Sequence, residues 1–120
     1  MNKQELALRT RRFAVDVFKL CESFPQSRAA FVVMNQLLRC SSSVAANYRA
    51  ALRSKSKADF VNKLKIVLEE ADESEFWLTF VAETNILRTD NLHLKRLQKE
   101  ADELTAIFAA LVKTISQEKS

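Results

Sequence analysis

The chain has 120 residues, enough for one hydrophobic core and hence one domain over residues 1–120. It contains no glycine and one proline. Because hairpin turns usually need glycine, this composition disfavours sheet-rich folds, and it equally disfavours glycine-rich phosphate-binding loops. The formal charge is +4, and no apolar run approaches the ~18 residues of a membrane span, so we expect a soluble, cytoplasmic protein without a signal peptide.

Apolar residues recur at alternating spacings of three and four, which is typical of helices that bury one face in a bundle. The first predicted helix ends at Pro25, which cannot extend a helix. Its core-facing residues are Leu6, Thr10, Phe13, Val17, Leu20 and Phe24. The second predicted helix carries a run of small residues, 41–46, that would let a neighbouring helix approach closely. Its core-facing residues are Ala30, Val33, Leu37, Cys40, Val44, Asn47 and Ala51.

The third predicted helix begins at Ser56, whose hydroxyl can cap the backbone, with Asp59 three residues later as in a capping box. Its core-facing residues are Phe60, Leu64, Val67, Ala71, Ser74, Leu78, Val81 and Asn85. The fourth predicted helix begins near Thr89 and Asp90. Its core-facing residues are Leu94, Leu97, Ala101, Leu104, Phe108, Leu111 and Ile115. Short connections make successive helices antiparallel, so we predict an all-α, up-down-up-down four-helix bundle.

Two helices carry a second set of apolar residues away from the core-facing positions. On the first helix these are Leu8, Val15 and Phe18, and on the third they are Ile66, Trp77 and Phe80. An exposed apolar surface of this kind invites association, so we expect a homo-oligomer. The alternative is a wide core that buries both sets within one chain.

Polar residues near these surfaces are expected to fix how the helices pair. Glu70 and Glu73 lie beside Ile66 and Trp77 and should accept bonds from Arg9 or Arg39 of the same or a neighbouring subunit, since unpaired buried carboxylates are costly. Polar residues at core-facing positions should set the register. These are Thr10, Asn47, Ser74 and Asn85.

The residues needed for catalysis or metal binding do not form recognisable motifs. His93 is the only histidine, and we expect it to be a surface or capping residue. The Glu-x-x-His motif of di-iron helical bundles is not present. Cys21 and Cys40 are too far apart for a CxxC motif and are expected to be reduced, buried thiols. We therefore predict no catalytic residues, metal or cofactor, and a protein that is not an enzyme.

Basic residues cluster around the connection between the second and third helices, with only Asp59 opposing them. This basic corner consists of Arg49, Arg53, Lys55, Lys57, Lys63 and Lys65. Such a cluster can neutralise phosphates and bind RNA or DNA in a salt-dependent way that is largely independent of sequence. The alternative is an ordinary solvated helix corner.

Several stretches resemble the 23S rRNA intervening-sequence proteins, also called the four helix bundle protein family, over nearly the whole chain. They are Glu5-Leu6, Arg9-Thr10, Phe13-Ala14, QLLRCSSSVAANYRAA at 36–51, SKADF at 56–60, KLKI at 63–66 and EADESEFWL at 70–78. In the last stretch the chain has Glu69 where the family has a basic residue, Ser74 for threonine and Phe76 for tyrosine.

That family is similar in fold to the accessory variability protein of diversity-generating retroelements, a basic, barrel-shaped homopentamer that partners a reverse transcriptase and nucleic acid. The resemblance implies a ring-shaped homo-oligomer, in particular a pentamer, with RNA or DNA and a nucleic-acid enzyme such as a reverse transcriptase as partners. Five copies would carry +20, five times the charge of one chain. We therefore expect an oligomeric RNA-binding or ribonucleoprotein accessory module; the alternative is an interaction scaffold for proteins only.

Overall fold

The computed structural model describes residues 1–118, which form four helices in the predicted up-down-up-down order. Their bounds are α1 Lys3–Cys21, α2 Arg28–Ala51, α3 Lys57–Glu83 and α4 Leu92–Gln117. Each helix packs against the next in the chain, and α1 also meets α4 to close the bundle, which measures 50 × 22 × 20 Å. Lys119, which the sequence suggests as a surface position for a control substitution, lies outside the described residues.

One shared core runs the length of the bundle and contains most of the predicted core-facing residues. Phe13, Leu37, Leu64 and Phe108 are among its largest fully buried side chains. Thr10 and Ser74 are buried as predicted, and their hydroxyls donate to carbonyl oxygens of their own helices. Asn47, by contrast, is half-buried and bonds to Ser43. The neighbouring Tyr48 is buried instead, with its ring edge-on to Phe108 at 5.3 Å.

The end of α1 and the start of α4 differ slightly from the prediction, whereas the start of α3 agrees with it. The first helix ends at Cys21, before Pro25, and leaves Phe24 half-buried in the connection. The start of α4 was predicted near Thr89 and Asp90; its N-cap is the next residue, Asn91, which accepts a bond from the Leu94 amide. The Ser56 cap of α3 is confirmed by its bond from the Asp59 amide.

Asn85 is not a core-facing residue of α3, as the spacing had predicted, but the residue that ends the helix. Its φ of 57° lies in the left-handed region, which asparagine tolerates better than most residues other than glycine. The amide of Asn85 donates to the Ala82 carbonyl and that of Ile86 to the Val81 carbonyl, the bonding of a Schellman motif. In a chain without glycine, asparagine thus supplies this turn.

Ion pairs join α1 to α4, which have the least contact of the neighbouring helix pairs. Arg9 donates two hydrogen bonds to Glu100, at 2.8 and 2.7 Å, and a third to Glu103 at 3.1 Å. Of the two arginines predicted as partners of Glu70 and Glu73, Arg9 thus reaches neither glutamate within one chain. The reason is geometric, because α3 lies diagonally across the bundle from α1 and only α2 and α4 flank it.

Candidate functional site

The α2–α3 turn, residues 52–56, presents the most compact group of basic side chains in the predicted corner. Arg53 and Lys55 lie within this turn and Lys57 is the first residue of α3; all three are exposed. Within residues 1–118 none of the three takes part in an ion pair with a side chain, although the Lys57 ammonium donates to the Glu118 carbonyl at 2.5 Å. These three cations are therefore available to a ligand.

The other three residues of the basic corner do not join this group. Arg49 lines a groove between α1 and α2. The Lys63 ammonium pairs with the Asp59 carboxylate at 2.6 Å, and this hydrogen bond is the main reason that the pKa of Asp59 is lowered. Lys65 is exposed but lies two residues from Lys63 on one helix, so the two side chains point to different sides. The bundle thus divides the predicted corner.

An open cleft lies at the same end of the bundle, beside the α2–α3 turn. It has a volume of about 560 Å³, and its lining includes Lys3 and Phe60, which the sequence had not associated with the basic corner. The Lys3 ammonium sits 5.6 Å from the centre of the half-buried Phe60 ring. Lys3 could not be found from sequence spacing, because it reaches this end only through the pairing of the start of α1 with the end of α2. We call this open cleft beside the α2–α3 turn the end cleft.

The predicted pairing of Arg39 with both glutamates is present across the α2–α3 contact. Its guanidinium donates to Glu70 at 3.1 Å and also to Glu73, and the Trp77 indole donates to the same Glu73 oxygen at 3.2 Å. Half of the Arg39 side chain is exposed, whereas Glu70 is only 16% exposed. Solvent therefore weakens the ion pairs, while the glutamates depend on them for hydrogen bonds.

We expect Glu73→Ala to lower the free energy of unfolding by about 1–2 kcal/mol, because both Arg39 and Trp77 lose their shared acceptor. Arg39→Ala should cost about 1 kcal/mol, because half of its side chain is solvated. Chemical denaturation measures both, with the exposed Lys99→Ala as the control. Denaturation midpoints equal to that of the parent protein would show that the cluster adds no stability.

The apolar set on α1 is exposed, which rules out a core wide enough to bury it within one chain. Leu8, Val15 and Phe18 are 47%, 45% and 56% exposed. Two of them line the groove between α1 and α2, of about 550 Å³, whose α2 side includes the small residues Ser42, Ala45 and Ala46. The residues of this α1/α2 groove are Ala7, Leu8, Arg11, Ala14, Val15, Ser42, Ala45, Ala46, Arg49 and Leu52.

The second apolar set, on α3, is only partly covered. Ile66 is 42% exposed, whereas Trp77 and Phe80 are partly buried against the core. Phe76, which the sequence had not placed in this set, is 56% exposed and stacks on Phe80 with ring centres 6.0 Å apart. Trp77 packs edge-on to both rings. We call Phe76, Trp77 and Phe80 the aromatic ridge.

The candidate nucleophiles and metal ligands are poorly placed for chemistry. Burial raises the pKa of Cys21 to about 12 and that of Cys40 to about 11, so both thiols stay protonated at neutral pH. His93 is exposed in the first turn of α4. Among residues 1–118 no group of three metal-ligating side chains lies close enough together to hold an ion. The same residues include no helix with an apolar stretch long enough to cross a membrane.

Comparison with known proteins identifies a family and a solved structure of similar fold. The family model described as 23S rRNA-intervening sequence protein matches residues 2–110. A crystal structure of a protein with unknown function from the S23 ribosomal protein family of Bacteroides thetaiotaomicron is similar in fold, with a TM-score of 0.83 and 29% sequence identity. The match covers 94% of this chain and 99% of that one. A search of curated proteins found no match.

Proposed function

Because the chain belongs to the 23S rRNA-intervening sequence protein family, we propose that it is a homo-oligomeric, non-enzymatic module that binds RNA through phosphates at the α2–α3 turn. The observation that carries this proposal is the exposed cluster of Arg53, Lys55 and Lys57, which makes no ion pair among the described residues. Lys3 at the mouth of the end cleft extends the cluster.

Phosphate contact is the chemistry that this cluster supports. Lysine and arginine side chains in a turn can reach a nucleic-acid backbone, and binding then releases counterions, which makes the affinity fall with salt. Phosphate contacts carry no direct sequence information. The module should therefore bind RNAs of unrelated sequence with similar affinity and serve as an accessory to a ribonucleoprotein.

The absence of catalysis is part of the proposal and rests on the two thiols and the histidine. Cys21 and Cys40 are buried, protonated and not joined to each other, which also suits the reducing conditions of the cytoplasm. His93, the only histidine of the sequence, is exposed, and among residues 1–118 it belongs to no group of three metal-ligating side chains.

We propose that the copies assemble head to tail, with the aromatic ridge of one subunit in the α1/α2 groove of the next. The small residues of the groove leave room for large rings, and a contact between two different surfaces can close into a ring. Charges support the match. Arg11 and Arg49 border the groove, whereas Glu69 and Asp72 lie at seven- and four-residue spacings before Phe76 on the same face of α3.

The ring size that we propose is five, which comes from the family resemblance. Light scattering of the intact protein at micromolar concentration should give a mass five times the 13.7 kDa of the protomer. A trimer or tetramer would keep the head-to-tail contact and reject the pentamer. A monomer would reject the assembly altogether.

Titration of the parent protein with labelled RNAs of unrelated sequence tests the RNA-binding proposal. We expect binding at low salt with similar affinity for each RNA, and a log-log salt slope of about −0.7 for each phosphate contacted on a single strand. No binding at low salt would reject the proposal.

The second candidate function is a scaffold that binds proteins only. The observation that favours it is the extent of exposed apolar surface, because the groove and ridge could serve other proteins as well as further copies. An assembled ring that binds no RNA at low salt would make this the better function.

A further inference from the structure

The end cleft is lined by residues that have the spacing of core positions but are left uncovered. Phe60, Leu111 and Ile115 belong to the core-facing sets of α3 and α4, yet each is only partly buried and faces the cleft. The cleft volume of about 560 Å³ lies within the ~300–1,000 Å³ of small-ligand sites. The cleft can therefore hold an apolar group of a ligand.

Polar groups inside the cleft and at its mouth restrict what that group can be. The Lys3 ammonium lies over one face of the Phe60 ring, so only an exposed side chain, which a ligand would have to displace, covers that face. Lys57 also lines the cleft. The Ser54 hydroxyl is near enough to Asp59 to help lower the pKa of that carboxyl, yet its oxygen is buried without a hydrogen bond of normal geometry among the described residues.

These groups match a flat ring that carries polar edges and an attached anion. Such a ring could stack on Phe60 in place of the Lys3 ammonium, while its anion lay at the lysines. A purely aliphatic chain would fill the apolar volume but would leave the exposed lysines without an anionic partner. The adjacent α2–α3 turn adds the cations Arg53 and Lys55, which could hold the phosphates on either side of an inserted base.

We propose that the end cleft takes up one unpaired base of an RNA strand, with the flanking phosphates on the α2–α3 turn. This inference rests on the proposed RNA binding and adds to it a preference for single-stranded or looped RNA over duplex. In a duplex the base must first leave its stack, at a cost of a few kcal/mol. Stacking on Phe60 tolerates any base, so the preference would be for unpaired structure and not for sequence.

The test compares a single-stranded RNA with a duplex and with a strand of abasic sites, all of equal length and at the same salt. We expect the parent protein to prefer the normal single strand to both others by on the order of 10-fold, because only that strand can place a base on Phe60. The abasic strand keeps the phosphates and leaves the protein unchanged, so this arm does not depend on how a variant folds.

Phe60→Leu keeps an apolar side chain but removes the stacking surface. It should bind the single strand on the order of 10-fold more weakly than the parent protein while its affinity for duplex stays the same. The matched control is Phe31→Leu, at an exposed phenylalanine near the opposite end of the bundle, which should change neither affinity.

The outcomes separate this inference from the proposed function. Equal parent affinity for normal and abasic strands, or a Phe60→Leu variant that binds the single strand as the parent does, would overturn the base site and leave phosphate binding intact. Failure of the parent protein to bind any of the three RNAs would overturn both.

Discussion

We expect replacement of Arg53, Lys55 and Lys57 by glutamine to weaken binding to single-stranded RNA on the order of 100-fold at 0.1 M salt. Each lost phosphate contact reduces the log-log salt slope by about 0.7 on a single strand, so three contacts per subunit change it by about 2. If the affinities of parent and variant converge near 1 M salt, a tenfold dilution of salt separates them by about two powers of ten.

The factor should be similar for RNAs of unrelated sequence, because phosphates are the same in each. The matched control replaces Arg28, Lys95 and Lys99 with glutamine. These exposed residues lie toward the opposite end of the bundle, at the start of α2 and in the first turns of α4. The control removes the same charge, so a loss of affinity equal to that of the test variant would show that only net charge matters. Unchanged affinity of the test variant would mean that the turn is an ordinary solvated corner.

We expect the double substitution Leu8→Glu and Val15→Glu to convert the assembly to monomers of 13.7 kDa. Both side chains line the α1/α2 groove and are nearly half exposed in the protomer, so charge is tolerated there in the monomer. In the assembly the same carboxylates would be buried against the rings of the aromatic ridge and would approach Glu69 and Asp72 of the next subunit. Loss of apolar contact and like-charge repulsion then act together.

Light scattering measures the mass, and circular dichroism shows that the helices persist. The matched control is Leu92→Glu, at a leucine that is 79% exposed at the start of α4 and lies outside both surfaces. A head-to-tail contact also predicts that Phe76→Glu on the ridge dissociates the assembly, because either half of the interface is required. If only the groove variant dissociates, the α1/α2 groove of one subunit contacts the same groove of its neighbour, and the head-to-tail arrangement is wrong.

The affinity for RNA should depend on assembly, because each oligomer presents one α2–α3 turn for every subunit. A strand that contacts two or more subunits gains from multivalency, since the second contact is intramolecular. The monomeric groove variant should thus lose affinity for long RNAs and keep the affinity of a single subunit for short ones.

The helical part of the fold could be predicted from the sequence because its causes are local. The spacing of residues such as Leu37, Val44, Leu97 and Leu104 placed them correctly in the core. The cap at Ser56 was predictable because its serine and acidic partner stand only three residues apart. The end of α3 was not found, since core-like spacing continued to Asn85 although its backbone is left-handed.

The site was predicted less completely than the fold, because it depends on which helices are neighbours and on which sides of a helix stay uncovered. The sequence by itself determined that the basic residues fall around one connection and that α1 carries a second apolar face. Only the tertiary structure decided that Arg9 pairs with Glu100 and that Lys3 joins Phe60 at the end cleft. The periodicity along one helix does not show which other helices lie next to it and which lies diagonally opposite. This arrangement is set only when all four helices pack together.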